Sequence, residues 1–321
     1  MSPRTRTVVV VAAVAVAAAA ASVGGALVQG REAGGEAHAP AGERERPALE
    51  LAALAPDEGG LREGERLYET GRVAEARRRF ASVLARKPDS VAAEVGLAFA
   101  GGGPALVRRL RAIAERHPAS GVARLNLGLA LLSAGELELA RREWRRAERV
   151  DPDSPAAIRA DDLLNPRSPP GRPLFVAPLS VPASLLSEAA GGQAGVAARG
   201  RDPARLLRLG IAYLRLGRPL SARRAFDRAA QLAPADLRAQ VGAAIARFQK
   251  DAPAATFSRL GRLAGRHPRA PIVRYHLGLA LLYLPNLEEA RVQLRRARGD
   301  DPKGFYGREA ARILDRLGGV E

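Results

Sequence analysis

Of 321 residues, 47% are hydrophobic but only 4% aromatic, so a core must come from Leu, Ala and Val. That composition suits close helix packing better than a β-sandwich. The absence of Cys excludes disulfides, thiolate metal sites, a Cys nucleophile and a lipid-modified N-terminal Cys. The formal charge is +17, and nearly all of the positive charge is Arg, since Lys87, Lys250 and Lys303 are the only lysines. Arg recurs along the whole chain rather than in one block, which reads as solvated helix faces, and no nucleic-acid partner is expected.

Arg4 and Arg6 precede an unbroken apolar run from Val8 to Val28. A bilayer-spanning helix needs roughly 20 apolar residues, and a short basic flank stays on the cytoplasmic side. Residues 1–28 are therefore expected to be a membrane anchor that leaves the rest extracytoplasmic. A signal peptide cut near Ala19 to Ala21 would instead make the chain secreted. Residues 29–56, rich in Gly, Ala, Glu, Arg and Pro without an apolar period, are expected to be a disordered tether.

Beyond the tether a 34-residue spacing governs the chain. Pro118 and Pro152, Pro234 and Pro268, and Pro268 and Pro302 are each 34 apart. Between them the pattern repeats: Leu127, Gly128, Leu131, Gly135, Ala140, Trp144, Ala147, Pro152; then Leu209, Gly210, Tyr213, Gly217, Ala222, Phe226, Ala229, Pro234; then Leu277, Gly278, Leu281, Pro285, Ala290, Leu294, Ala297, Pro302. Large residues three and four apart make an apolar stripe on each of two helices. Small residues at the crossing let the axes approach, and a bulky residue from the second helix fills the gap. Gly135 and Gly217 suit the turn, and Pro219 and Pro253 suit helix starts.

A second level of repetition appears at an offset of 150: residues 121–152 against 271–302 share 16 identities in 32, counted directly. The expected organisation is a duplicated block of three hairpins: a first module at 57–165, a Pro/Gly-rich linker at 166–201 and a second module at 202–321. Each module is expected to end on a capping helix, the first burying Ile158, Leu163 and Leu164, and the second Tyr306, Ala310, Ile313, Leu314 and Leu317.

The pattern resembles the tetratricopeptide repeat family, whose unit is a 34-residue helix–turn–helix. Repeats 57–90, 121–154, 203–236 and 271–304 match it well. Repeat 237–270 has Ala244 where the family prefers Gly, and Ser90 to Pro118 is short. The resemblance implies an all-α solenoid; with the duplication and the apolar run Val8 to Val28, the expected fold is two three-repeat modules following one N-terminal transmembrane helix. It also implies a concave groove, formed by the first helix of each unit, that takes an extended peptide or a helix of a partner protein. Carried over by position, the groove residues are Leu207, Ile211, Leu214, Arg215, Val241, Ile245, Phe248, Tyr275, Leu279, Leu282 and Tyr283. Leu61, Tyr68, Leu125, Leu129 and Leu132 are their counterparts in the first block. Asn126 matches a position with which some relatives grip a terminal carboxylate, but the accompanying lysines are replaced by apolar residues, which favours an apolar partner.

No catalytic constellation emerges, so neither an enzyme, a cofactor nor a metal is expected. His117 and His267 share one place before a repeat-ending proline, His38 lies in the tether, and Asp161 and Asp162 diverge on a helix. Gly101 to Gly103 lacks the Lys-Ser or Lys-Thr of a phosphate loop. The apolar, proline-stiffened run Leu174-Phe175-Val176-Ala177-Pro178-Leu179 is expected to lie in a groove of one module as a displaceable cover. The function expected is a membrane-tethered scaffold binding protein partners through its grooves. The alternatives are a basic module binding anionic polymer or lipid headgroups, and an assembly subunit of an envelope complex.

Overall fold

The computed structural model describes residues 46–51, 60–191, 200–284 and 286–318. The expected anchor, residues 1–28, lies outside the described residues, as do most of the tether and residues 192–199 of the linker. Among the described residues no helix is long and apolar enough to cross a membrane. They hold fifteen helices and no strand.

Two compact units divide the chain: Met1–Ala147 with Asp162–Pro170, and Glu148–Asp161 with Gly171–Glu321. The first unit carries three hairpins: α1 (Leu61–Glu69) with α2 (Val73–Arg86), α3 (Val91–Gly101) with α4 (Leu106–Arg116), and α5 (Gly121–Ser133) with α6 (Leu137–Val150). Helix α7 (Pro155–Leu164) follows, with its first seven residues in the second unit. The second unit continues with α8 (Ala183–Ala190) and the pairs α9 (Pro203–Arg215) with α10 (Pro219–Leu232), α11 (Leu237–Ile245) with α12 (Ala254–Arg266), and α13 (Pro271–Leu282) with α14 (Leu287–Asp300), ending on α15 (Phe305–Gly318).

Local chemistry sets these boundaries. The side chains of Ser90, Ser120, Asp202 and Asp236 accept backbone N–H groups at the starts of α3, α5, α9 and α11. Ala270 holds the corresponding place before α13, where Pro271 opens the helix instead. Gly135 and Gly217 take φ of 82° and 65° in their turns, a region L side chains avoid.

Packing within the hairpins follows one rule. A Cβ added to Gly64 would stand 2.5 Å from the Phe80 ring, and one added to Gly96 would stand 2.7 Å from it. Gly210 and Gly242 flank Phe226 in the same way, at 2.5 and 2.7 Å. One aromatic on the second helix of a hairpin thus lies on bare backbone both of its own partner helix and of the next hairpin. Each glycine stands 16 residues from the aromatic, before or after it. Gly128 against Trp144 and Gly278 against Leu294 repeat the first half of the rule.

One expectation needs correction. The buried face of α7 is Ala156, Ala157, Ala160 and Asp161, whereas Ile158, Leu163 and Leu164 are half-buried. Small residues on that face permit close approach, as Gly does elsewhere. Pro253 stands at the N-cap of α12, at the start of that helix, and its carbonyl accepts from the Thr256 and Phe257 N–H groups. Within the linker, Phe175, Leu185 and Ala189 are buried in the core of the second unit, with Ala177, Leu179 and Val181 packed against it.

Candidate functional site

In the second unit the expected groove residues gather around the chain's own segment. Leu207, Ile211, Val241, Ile245 and Phe248 are buried in one core cluster with Phe175, and Leu214 and Tyr283 pack on its edge. Tyr275 is buried in a neighbouring cluster, against which Val176, Leu279 and Leu282 pack. Arg215 is exposed and takes no part in either cluster.

The segment is held by one anchor and one hydrogen bond. The Phe175 ring, 3% exposed, stacks on the His276 imidazole at 5.2 Å and meets Phe226 edge-on at 5.2 Å. Burying such a ring stabilises by about 1.5–3 kcal/mol. His276 is fully buried on α13, and its Nδ1 lies 2.7 Å from the Ile272 carbonyl oxygen. That carbonyl can only accept, so Nδ1 carries the proton and Nε2 is free to accept. The Val176 N–H donates to it at 3.0 Å. Burial pushes the imidazole down to about 4, so the ring stays neutral near pH 7.

The first unit holds a counterpart within the expected tether. Residues 46–51 form no helix, and Leu49 and Leu51 are 3% and 0% exposed. Asn126, fully buried on α5, pairs with both sides of one residue: the Glu50 N–H donates to its Oδ1 at 3.0 Å, and its Nδ2 donates to the Glu50 carbonyl at 2.8 Å. Two contacts from α1 complete the seat. The Leu51 N–H donates to Glu65 at 2.6 Å, and the Tyr68 hydroxyl donates to the Pro47 carbonyl at 3.0 Å. The reading of 29–56 as disordered does not hold at residues 46–51, where alternating Leu side chains are buried and the backbone between them is paired.

Asn126 and His276 stand 150 residues apart, the offset of the duplication, so one groove position grips a backbone in each unit. The gripped segments also correspond: Arg46-Pro47-Ala48-Leu49-Glu50-Leu51 and Arg172-Pro173-Leu174-Phe175-Val176-Ala177. Sequence reasoning placed neither His276 nor Leu49 at a site, and noted Asn126 only as a match to a carboxylate-gripping position whose accompanying lysines are missing. The shared Arg-Pro and the alternation after it are the signal that could have found them.

Among the described residues no group of three or more His, Asp or Glu could hold a metal ion. His117 and His267 take the same C-terminal place after α4 and α12, each with its N–H bonded to the carbonyl four residues back. His117 also lies 3.2 Å from Glu94.

Tetratricopeptide repeat models match residues 203–236 and residues 61–100, 107–157 and 258–305, together more than half of the chain. The chain belongs to the tetratricopeptide repeat family. No curated protein matches it. Among solved structures it is similar to the TPR2AB domain of yeast Sti1 in complex with pHSP90, at 14% identity over 80% of this chain and 95% of that one, with a TM-score of 0.31. The TPR protein YrrB, described as having an unusual peptide-binding site, shares 17% identity over 63% and 97%, with a TM-score of 0.32. A thermophilic TPR protein of Thermus thermophilus shares 18% over 81% and 99%, with a TM-score of 0.25. Family membership rests on the repeat models and the helix–turn–helix geometry rather than on these likenesses.

Proposed function

We propose that this tetratricopeptide repeat protein is an exported, membrane-tethered scaffold that binds protein partners through its concave grooves. The observation that carries the reading is the seat around Phe175 and Val176, where an extended backbone is held by an aromatic pocket and a buried polar acceptor. A groove that holds an extended segment of its own chain has the shape and chemistry to hold one from a partner. Export and tethering draw their support from the apolar run Val8 to Val28 behind Arg4 and Arg6. The test is affinity capture with the full chain against its Leu279→Glu variant, washed at low and at high salt. Apolar groove binding predicts capture that survives high salt and is lost in the variant. Capture unaffected by the variant would refute the groove.

A second reading, attachment to an anionic polymer or lipid headgroups, draws on one charge cluster. Arg247, Arg262 and Arg223 together lower the pKa of Arg259, after burial, while Asp227 is the one acid acting against them. Asp227 is already engaged by Arg247 at 2.5 Å. Such attachment predicts steep loss with ionic strength.

A further inference from the structure

The two seats are independent observations of one readout. In each, a proline leads into a segment with a buried apolar side chain followed by a residue whose backbone is gripped; the next residue is the buried Leu51 in one and the half-buried Ala177, packed against the core, in the other. An extended backbone places alternate side chains on one face, as the buried Leu49 and Leu51 show, while the peptide groups of the residue between them stay open to a polar partner. The gripping residue differs, Asn126 in one unit and His276 in the other, yet both are fully buried and both address the backbone. What the duplication preserves is therefore recognition of an extended backbone between two apolar side chains, not one particular side-chain pair.

We propose that each groove recognises an extended segment of the pattern Arg-Pro-x-φ-x-φ, where φ is apolar, and that residues 46–51 and 172–177 are in-cis occupants which an incoming segment of that pattern displaces. This rests on the scaffold reading and names its partner class. An occupant tethered through a short connection acts at an effective concentration in the millimolar range, so an outside segment competes at a disadvantage until the tethered one is weakened. A proline-led, pre-extended segment loses little chain entropy on seating, whether it is the occupant or an incoming segment of the same pattern. The two arginines lie differently. Arg172 faces Asp161 at 3.4 Å, whereas the Arg46 guanidinium would lie 2.9 Å from a Cβ added to Gly71, so Arg is the least constrained element of the pattern.

The test uses the full chain, its Phe175→Ala variant and a fluorescein-labelled peptide of residues 170–181, read by fluorescence anisotropy. The variant should bind the peptide at least tenfold more tightly than the unmodified chain, and a peptide with Ala at the Phe175 position should lose that gain. Val176→Pro, which removes the N–H donated to His276 and trims the Val176 side chain packed near Tyr275, is the second variant should Phe175→Ala lose helical circular dichroism. It should also bind at least tenfold more tightly. Leu49→Ala with a peptide of residues 44–53 repeats the experiment in the first unit. Equal affinity of folded variant and unmodified chain, or of matched and Ala-substituted peptide, would overturn the proposal. The scaffold reading has its own capture experiment, so the two fail separately.

Discussion

The backbone N–H of Val176 donates to Nε2 of His276 across 3.0 Å, while Nδ1 of the same ring bonds the Ile272 carbonyl at 2.7 Å. Both ring nitrogens are thus spent on the backbone, one as acceptor and one as donor. Only the neutral imidazole can do this, because a protonated ring would oppose the Val176 N–H with a second N–H. A histidine that most sequence arguments would examine for catalysis here holds a segment of chain in place.

Acid should therefore loosen the second groove. The rings facing His276 from α13 and α15 are Tyr275 and Tyr306, and burial raises both phenols above their ordinary value, so they stay neutral throughout. The imidazole is lowered from 6.5 to about 4 in the folded chain, so its contribution is full above pH 6.5 and fades as pH falls from 6.5 toward 4. The loss amounts to roughly 3 kcal/mol by that shift. Thermal unfolding followed from pH 7.5 to 4 should show it, and His276→Asn, which copies Asn126, should flatten the dependence.

Glycines should divide sharply by their surroundings. Gly210→Ala places a methyl 2.5 Å from Phe226 and should cost about 1–3 kcal/mol through overpacking. Gly261 and Gly265 on α12 have nothing within 4 Å of an added Cβ. Gly261→Ala should stabilise by about 0.5–1 kcal/mol through helix propensity. Chemical denaturation of the two variants checks both signs.

Asp153 secures the start of α10. Its carboxylate accepts from the Leu220 N–H at 2.9 Å, the Ser221 N–H at 3.0 Å and the Ser221 hydroxyl at 2.5 Å. Asp153→Ala should cost about 1–2 kcal/mol, the range for a lost helix cap. Asp153→Asn, which keeps an acceptor, should recover part of it in the same denaturation measurement.

The repeat architecture was legible because Pro and small-residue spacings persist over 34 residues and again over 150. The occupied grooves were half legible. The run Leu174 to Leu179 announced itself as apolar and extended, but Leu49 and Leu51 lie in a six-residue stretch too short for any helical period. Their partner, Asn126, lies 76 residues from Glu50 in sequence. Gly96 and Gly242 escaped notice because they occur two residues before the position of the family glycine, facing the preceding hairpin. The apolar face of α7 was misjudged by preferring Ile and Leu to Ala, where close approach rewards the smaller side chain.

Asn126 should behave as the first unit's latch. Asn126→Ala removes both bonds from Asn126 to the Glu50 backbone, so cleavage after Glu50 by a Glu-specific protease should accelerate at least tenfold. Helical content should remain unchanged, since the substitution favours helix on α5.

Hydrogen–deuterium exchange of the full chain, read at the amides of Glu50, Leu51 and Val176, tests the occupied grooves most directly. All three amides should exchange far more slowly than in free peptides of residues 44–53 and 170–181. Exchange at the free-peptide rate, with the surrounding helices still protected, would mean that the grooves stand empty in solution and would contradict the account.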